Sequence, residues 1–509
     1  MEFRKNDIVT VDIEDIGSEG EGIGRVEGFA LFVKDALPGD RVEARIVKNK
    51  KNYAYGRLEK VLVPSPFRVE PRCVCHRQCG GCQLQALSYE QQLLFKENKI
   101  RNSLIRIGGF APQQVEECLE PMVGMENPFR YRNKALYPVG VDRDGKLAAG
   151  FYAGRTHCIV PNTDCLLGAE ENRVVLECIL EYMHRNGVDV YDETTGRGLV
   201  RYVLIRKGFY SGEIMVCLVI NRDRRVSLPR QEEFVGALKE IKGMTSISIN
   251  CNTGRDNVIL GKHTYPLWGR DSITDVICVR DMTQEGYPHT GRQLEFHISP
   301  LSFYQVNPLQ TEKLYSLALE YAGLTGREVV WDLYCGIGTI SLFLAGSAGR
   351  VFGVEVVPQA VEDARRNAAE NGIENAEFFL GRAEEILGQG VKGDTGREEQ
   401  EKGQAGGVGE WKRTGSDKAG EEGTVWKLPL PDVVVVDPPR KGCDSACLAA
   451  ILKARPDRVV YVSCNPATLA RDLKVLCDGG YELKKVRGVD QFGMTVHVEV
   501  ACCLQRKDL

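Results

Sequence analysis

The run Val329-Val330-Trp331-Asp332-Leu333-Tyr334-Cys335-Gly336-Ile337-Gly338-Thr339-Ile340-Ser341-Leu342 constrains this chain more than any other stretch. It reads as a buried strand, a two-glycine loop and the start of an apolar helix. Glycines at that place let the backbone approach a ligand closely at the carboxyl end of the strand. The next strand, Arg350-Val351-Phe352-Gly353-Val354-Glu355, ends in an acidic residue 19 positions after Gly336. A carboxylate there can accept hydrogen bonds from ribose hydroxyls. From residue 311 onward strands and helices keep alternating, the rhythm of a parallel sheet with crossover helices. The spacing is Gly-x-Gly rather than the full Gly-x-Gly-x-x-Gly, so Rossmann oxidoreductases are a natural competitor on this signal alone.

Three further elements narrow the chemistry. The apolar strand Val433-Val434-Val435-Val436 delivers Asp437 to the sheet edge, and Pro438 and Pro439 stiffen the exit and remove backbone donors. Any strand-to-loop turn can read Asp-Pro-Pro, yet a similar element occurs in methyltransferases acting on planar nitrogenous rings. Next, Arg458-Val459-Val460-Tyr461-Val462-Ser463 is a strand ending in Cys464-Asn465-Pro466-Ala467-Thr468, followed by helical Leu469-Ala470-Arg471-Asp472. A cysteine between strand end and helix start gains thiolate character from the helix amides, with Thr468 as the expected cap. Most of the eighteen cysteines are expected to be inert core, and this position sets Cys464 apart. Last, Thr495-Val496-His497-Val498-Glu499 reads as a strand with His497 and Glu499 on one face. A lone carboxylate is usually a solvated one; beside Cys464 and Asp437 on neighbouring strand ends, Glu499 becomes a candidate base.

Methylation of carbon 5 of uracil needs this pair. That carbon is a poor nucleophile and its proton is weakly acidic. A thiolate adding to carbon 6 turns carbon 5 into an enolate carbon able to attack a sulfonium methyl. A separate base must then remove the carbon 5 proton so that the thiolate leaves.

The rest of the chain sets the context. At 509 residues it is too long for one ordinary core, so two to four domains are expected. Apolar and charged residues stand at 43% and 27%, and no apolar run reaches the roughly 18 residues of a membrane span. Met1-Glu2-Phe3-Arg4-Lys5 leads straight into strand-like sequence without a signal-peptide stretch, so the expectation is a soluble cytoplasmic protein with no membrane partner. Cysteines in apolar settings, such as Cys217, Cys502 and Cys503, read as small core hydrophobes in a reducing compartment.

The net charge of -4 does not announce a nucleic-acid binder, but Arg41 to Lys60 holds seven basic residues against two acidic ones. That run lies in a segment, residues 6 to 63, of about five short strands with glycine turns, Gly17 to Gly24 being the most turn-rich. It predicts a small closed barrel of the OB type, with Tyr53 and Tyr55 among the lysines as stacking aromatics. A barrel that merely packs on its neighbour fits that segment as well. A cysteine cluster follows at 70 to 82, then an amphipathic helix over 88–108. Mixed strands and helices run to about 300, including Leu199–Arg206 and Glu213–Ile220. Gly388 to Gly423, with eleven glycines, eight acidic and six basic residues, cannot offset its ordering entropy by burial and reads as a flexible surface insertion.

Together these residues resemble the RNA uracil-5-methyltransferases that act on ribosomal RNA. The resemblance covers nearly the whole chain: a barrel similar to the TRAM domain, Tyr131-Arg132-Asn133-Lys134, Ser302-Phe303-Tyr304-Gln305-Val306-Asn307, Asp332 to Gly338, Asp437-Pro438-Pro439-Arg440-Lys441-Gly442, Ser463-Cys464-Asn465-Pro466 and His497-Val498-Glu499. It implies an α/β chain in three parts: the barrel over 1–63, an iron–sulfur-containing mixed α+β central domain over 70–300, and a Rossmann-like methyltransferase domain over 301–509. The helix 88–108 would pack on the catalytic domain. By the resemblance Cys464 is the nucleophile and Glu499 the base. Gln305, Tyr334, Gly336 and Glu355 would contact S-adenosylmethionine, and Asp437 the cofactor or the uracil. Cys73, Cys79, Cys82 and Cys165 resemble the family's four ligands for a [4Fe-4S] cluster; by donor type alone zinc suits four cysteines equally. Cys75 and Cys158 are read as non-ligands. The implied partner is 23S ribosomal RNA, entered at a single-stranded or bulged site from which the base flips, and the implied state is a monomer. The same reaction on a transfer RNA loop uridine, and a non-catalytic RNA-binding iron–sulfur protein, are the alternatives. Where the family has Phe-Pro before its histidine segment, this chain has Phe492-Gly493-Met494.

Overall fold

The computed structural model describes residues 3–154, 156–392 and 428–509. Contacts divide the chain into two compact units. The first holds Met1–Ser103, Glu120–Leu314 and Arg487–Glu499; the second holds Leu104–Leu119, Tyr315–Val486 and Val500–Leu509. The barrel and the mixed central part therefore fall in one unit, which also takes in the segment Arg487–Glu499.

In the first unit, strands Ile8–Ile16, Gly22–Val26, Phe29–Lys34, Arg41–Asn49 and Tyr53–Val63 close into a barrel, with the fifth strand inserted between the third and the fourth. Side chains alternate along each strand, so Val11, Ile13, Leu31, Val33, Val42, Ala44, Ile46 and Ala54 fill one apolar interior. The expected barrel is present, with one local correction. Gly22 and Gly24 lie in the second strand rather than in a turn. A Cβ at Gly24 would meet the Asp12 carbonyl oxygen at 2.3 Å, so glycine serves close strand approach here. Leu37-Pro38-Gly39-Asp40 forms a turn closed by the Asp40 amide on the Leu37 carbonyl (2.9 Å). Asp40 is 1% exposed and accepts from the amides of Leu37 (2.7 Å) and Ser65 (2.8 Å) and from Arg68 Nε (3.1 Å), which ties the barrel to the segment after it.

The central part is a seven-stranded sheet in the order His263–Gly269, Met244–Cys251, Ile214–Ile220, Val200–Lys207, Lys134–Val141, Leu147–Tyr152, Ile159–Pro161. All seven residues of Ile214–Ile220 are buried, as their continuous apolar run requires of a central strand. Helices Glu171–Asn186 and Gln231–Lys239 pack Val175, Ile179, Met183, Phe234 and Leu238 into its core. A separate two-stranded ribbon, Ile273–Arg280 with His289–Ile298, follows. The helix expected over 88–108 spans Tyr89–Arg106.

In the second unit, strands run in the order Ala376–Leu380, Arg350–Glu355, Val329–Leu333, Val433–Val436, Arg458–Ser463, Glu499–Arg506, Tyr481–Val489. The first five pair in parallel and Arg458–Ser463 pairs antiparallel with Glu499–Arg506. The chain starts at Val329–Leu333, builds outward one way and then returns to build the other way. That reversal opens a crevice at the carboxyl ends of Val329–Leu333 and Val433–Val436, the usual place for a ligand in such sheets. Cys502 and Cys503 are buried core here, as Cys217 is in the first unit. Of the segment read as an insertion, residues 388–392 close the helix Ala383–Lys392, which corrects the expectation that it lacks regular structure from its start. Residues 393–423 lie outside the described residues.

Candidate active site and cysteine centre

The glycine loop is shaped by three left-handed residues. Tyr334 (φ 71°), Gly336 (φ 55°) and Gly338 (φ 81°) turn the chain from the strand into the helix Thr339–Ala345. A non-glycine residue at positive φ is strained, and Tyr334 is held there by its amide bond to the Val354 carbonyl (3.0 Å). At Gly338 a Cβ would press on Phe378 and Ala364 at 3.0–3.1 Å, so glycine also sets helix-to-sheet packing. Glu355 caps the loop from the next strand. Its Oε2 accepts from Gly336 N (3.1 Å) and its Oε1 from Val356 N (2.7 Å) and Val357 N (2.9 Å). The carboxylate is thus fixed, half-buried, beside the loop.

Three carboxyl groups converge on this strand edge. Asp332 is fully buried; its Oδ2 accepts from Ser341 Oγ (2.5 Å) and its Oδ1 has no hydrogen-bond partner. Burial, with the charges of Asp437 and Glu355 adding to it, pushes its carboxyl up to about 7. Burial likewise raises Asp437 to about 7. A site that resists ionisation of its own carboxylates is one where a cation is welcome. A sulfonium or ammonium group would relieve the mutual repulsion, whereas a dinucleotide's diphosphate would add to it. Sequence reasoning named Glu355 and Asp437 and missed Asp332. The available signal was a charged residue inside the otherwise apolar strand Val330–Leu333.

Cys464 sits, partly exposed, between the strand Arg458–Ser463 and the helix Pro466–Asp478. The cap of that helix is Asn465, whose side chain accepts from Ala467 N (3.1 Å), and not Thr468. Pro466 takes the first helical position, which leaves Asn465 as the residue before the helix. Thr468 instead donates to the carbonyls of Arg440 (3.1 Å) and Asn465 (3.2 Å). Asn465 Nδ2 also donates to the Arg440 carbonyl (3.1 Å), and Arg471 to those of Lys441 (3.0 Å) and Cys443 (3.2 Å). The loop after Asp437-Pro438-Pro439 is therefore fastened to the turn that carries Cys464.

Glu499 is buried and opens the strand Glu499–Arg506. His497 precedes the strand, so the expected shared strand face of His497 and Glu499 does not form. The chain from Gln491 to Val498 is irregular because Met494 takes a left-handed conformation (φ 67°). Gln305 lies in the first unit, partly buried, its carbonyl accepting from Asn133 Nδ2 (2.9 Å).

Cys73, Cys75, Cys79, Cys82 and Cys165 form one centre in the first unit. Burial raises the Cys82 thiol to about 12, and the nearby Cys165 and Cys79 add to the shift. Cys75, Cys79 and Cys165 are raised in the same way, burial first and neighbouring thiols after it. Opposing this, Gly81 N donates to Cys79 Sγ (3.4 Å), amides of Leu167 and Gly168 face the Cys165 sulfur, and the Arg132 guanidinium lies close to Cys79, Cys82 and Cys165. Such donors favour thiolates. Cys75 donates its thiol to the Pro161 carbonyl (3.7 Å). Four sulfurs on one zinc ion would stand about 3.8 Å apart. Among the described residues the His, Cys, Asp and Glu triple with ligand atoms within 4.8 Å of one another is Cys278, His289 and Glu312, so no three of these sulfurs are that close. In the Cys278–His289–Glu312 triple, Glu312 already accepts from Arg280 (2.7 Å), Tyr210 (2.8 Å) and Cys278 N (2.9 Å), a saturated structural knot.

Comparison with known proteins agrees with this architecture. The model of the TRAM domain matches residues 2–58, that of a "Methyltransferase domain" residues 324–395, and that of "tRNA (Uracil-5-)-methyltransferase" residues 429–507. An uncharacterized RNA methyltransferase of Halalkalibacterium halodurans is 45% identical over 509 residues, covering 99% of this chain and 98% of its own. One of Clostridium tetani is 42% identical over 497 residues, covering 97% and 96%. The crystal structure of Pyrococcus abyssi tRNA (uracil-54, C5)-methyltransferase in complex with S-adenosyl-L-homocysteine is similar over 97% of this chain and 100% of that one, with a TM-score of 0.68 and 25% identity. No helix among the described residues is long and apolar enough to cross a membrane. A chain that matches such relatives from end to end, and carries both the TRAM and the uracil-5 signatures, belongs to the S-adenosylmethionine-dependent RNA uracil-5-methyltransferases.

Proposed function

We propose that this chain methylates carbon 5 of a specific uridine in 23S ribosomal RNA through a covalent adduct on Cys464, acting as a cytoplasmic monomer. The observation that carries the mechanism is a register. Ser463 pairs with Val500 across the antiparallel strands, Cys464 is the next residue after Ser463, and Glu499 is the residue before Val500. A nucleophile and a base on adjacent strand ends are what the reaction needs. The Cys464 thiolate adds to carbon 6, forming an S–C6 bond and moving the C5=C6 pair into the ring enolate. S-adenosylmethionine supplies the methyl group. Carbon 5 takes that methyl as its bond to sulfur breaks. The Glu499 carboxylate then removes the carbon 5 proton, the C5=C6 bond re-forms and the thiolate leaves. Tyr334, Gly336 and Glu355 would hold the cofactor's adenosine, with Gln305 a further contact and Asp437 facing the sulfonium or the uracil. Support for a cationic ligand comes from the carboxyl groups of Asp332, Asp437 and Glu355 crowding one strand edge.

Cys73, Cys79, Cys82 and Cys165 would hold a [4Fe-4S] cluster, Cys75 remaining a thiol. The thiolate-favouring donors around these sulfurs support a four-thiolate ligand set, and the resemblance to the family favours iron over zinc. Iron and acid-labile sulfide measured after anaerobic purification should be present near four each per chain; zinc in their place would overturn it.

Transfer RNA is the second reading, favoured by the Pyrococcus abyssi enzyme, which is described as acting on uracil-54 of transfer RNA. Tritium release from carbon-5-labelled uridine in ribosomal and transfer RNA transcripts tests both. Release from ribosomal RNA alone is expected, release from transfer RNA alone would move the substrate, and release from neither would refute the reaction.

A further inference from the structure

The irregular stretch Gln491–Val498 leads directly to Glu499, and the first unit holds it by side chains rather than by secondary structure. One helix, Tyr89–Arg106, supplies most of them. Tyr89, Gln92, Lys96 and Lys99 recur at helical spacing and so share a face. Tyr89 Oη donates to Asp490 Oδ2 (2.7 Å) and Lys96 Nζ to Asp490 Oδ1 (2.5 Å) and the Phe492 carbonyl (3.1 Å). Gln92 Oε1 accepts from Met494 N (3.1 Å), while its Nε2 donates to the Leu87 carbonyl (2.8 Å). Lys99 Nζ donates to the Val496 carbonyl (3.0 Å), three residues before Glu499. The amides of Gln83 and Leu84, which directly follow Cys82, both donate to the Met494 carbonyl (3.1 and 3.0 Å).

Gln92 and Lys96 are buried, and so is Asp490. Burying an ion pair in place of apolar side chains gives little or no net stability. What it does give is one permitted path for a backbone that has no ladder to follow. The strained Met494 sits at the middle of that path, bonded at both its amide and its carbonyl.

We propose that Gln92, Lys96 and Lys99 are positioning residues for the Glu499 carboxylate, fixing the last turn before it so that the base meets the carbon 5 proton after methyl transfer. This deepens the reaction proposed above and rests on it. The consequence is step-specific. Loosening the turn leaves thiolate addition and methyl transfer intact and slows only elimination, so the methylated RNA stays bound to Cys464.

The test uses the full chain, radiolabelled S-adenosylmethionine and whichever RNA transcript supports tritium release. Gln92→Ala and Lys99→Met are compared with Glu499→Gln on denaturing gels, with thermal melts and S-adenosylhomocysteine binding confirming an intact fold. Elimination should slow by about tenfold to a hundredfold, as expected for a misplaced catalytic group, and a denaturation-stable, labelled protein–RNA adduct should accumulate in all three. Lys99→Met retains the apolar stem, so it reports even if Gln92→Ala fails to fold. If Glu499→Gln traps adduct while Lys99→Met partitions like the wild type, the positioning role is wrong. If the helix variants lose adduct formation in step with turnover, they are merely structural and the inference again falls. If Glu499→Gln traps nothing, the base assignment itself fails and takes this inference with it.

Discussion

At the scale of single residues, the chain places charge where water is absent, and pH should reveal it. The Asp332 carboxyl is held near 7 by burial first and by its acidic neighbours second, against an ordinary value of 3.8. Between those two values the folded chain keeps a proton that the unfolded chain has released. Stability contributed through this group therefore falls as pH rises across that window and stays at its low level above it. Asp332→Asn removes the ionisation while keeping the shape. Melting curves should show the variant gaining on the wild type between about pH 5 and about pH 8, by an amount on the order of a few kcal/mol at the upper end. A gap that stays the same at both ends would mean that Asp332 does not hold the proton. The cationic sulfonium of S-adenosylmethionine should stabilise the wild type at the upper pH more than neutral S-adenosylhomocysteine does, and that difference should shrink in the variant. The placement of Glu355 and Cys464 was legible in the sequence because one closes and the other directly follows an unmistakable apolar strand. Asp332 was not, because its meaning depends on two carboxylates that come 23 and 105 positions later in the chain.

At the scale of elements, legibility follows the origin of order. Val433–Val436 and Arg458–Ser463 were read with their observed ends because a strand buried on both faces must be apolar throughout. The five barrel strands were legible from alternation, although Gly22–Val26 hid behind its glycines. The stretch before Glu499 was misread as strand because its alternating apolar residues mimic one. Its path is set instead by Gln92 and Lys96, some 400 positions away in sequence, and by Met494 packing in a cluster with Tyr131 and Leu167, against which Cys82 and Cys165 lie. That cluster links the cysteine centre to the same stretch. If the proposed cluster is bound, removing it with a chelator should therefore speed amide exchange of Met494 and its neighbours, while Val433–Val436 keeps its protection. Unchanged exchange at Met494 in chain whose cysteines have become alkylatable would show that the centre does not support the turn.

At the scale of the whole molecule, function is divided between surfaces that bulk composition conceals. A net charge of -4 hides a barrel face on which Lys48, Lys50, Lys51 and Arg57 are exposed. On the same barrel Phe32, Tyr53 and Tyr55 form a half-buried aromatic trio with ring centroids 5.5–5.8 Å apart. They point outward because Leu31, Val33 and Ala54 between them point in. Outward rings on a barrel that also exposes these basic residues make a platform on which an unpaired base can stack and a backbone can be neutralised. Tyr55→Ala should weaken binding of the RNA substrate by about 1–3 kcal/mol while leaving kcat at saturating RNA unchanged. Lys50→Ala with Lys51→Ala should weaken binding too, but with a different signature. Each lost phosphate contact flattens the dependence of log affinity on log salt by about 0.7 for single-stranded RNA. Titrations at several salt concentrations separate the two effects, because stacking carries little salt dependence and ion release carries nearly all of it. A Tyr55→Ala chain that binds RNA as the wild type does but turns over slowly would move the aromatic trio from substrate capture to some step of the chemistry.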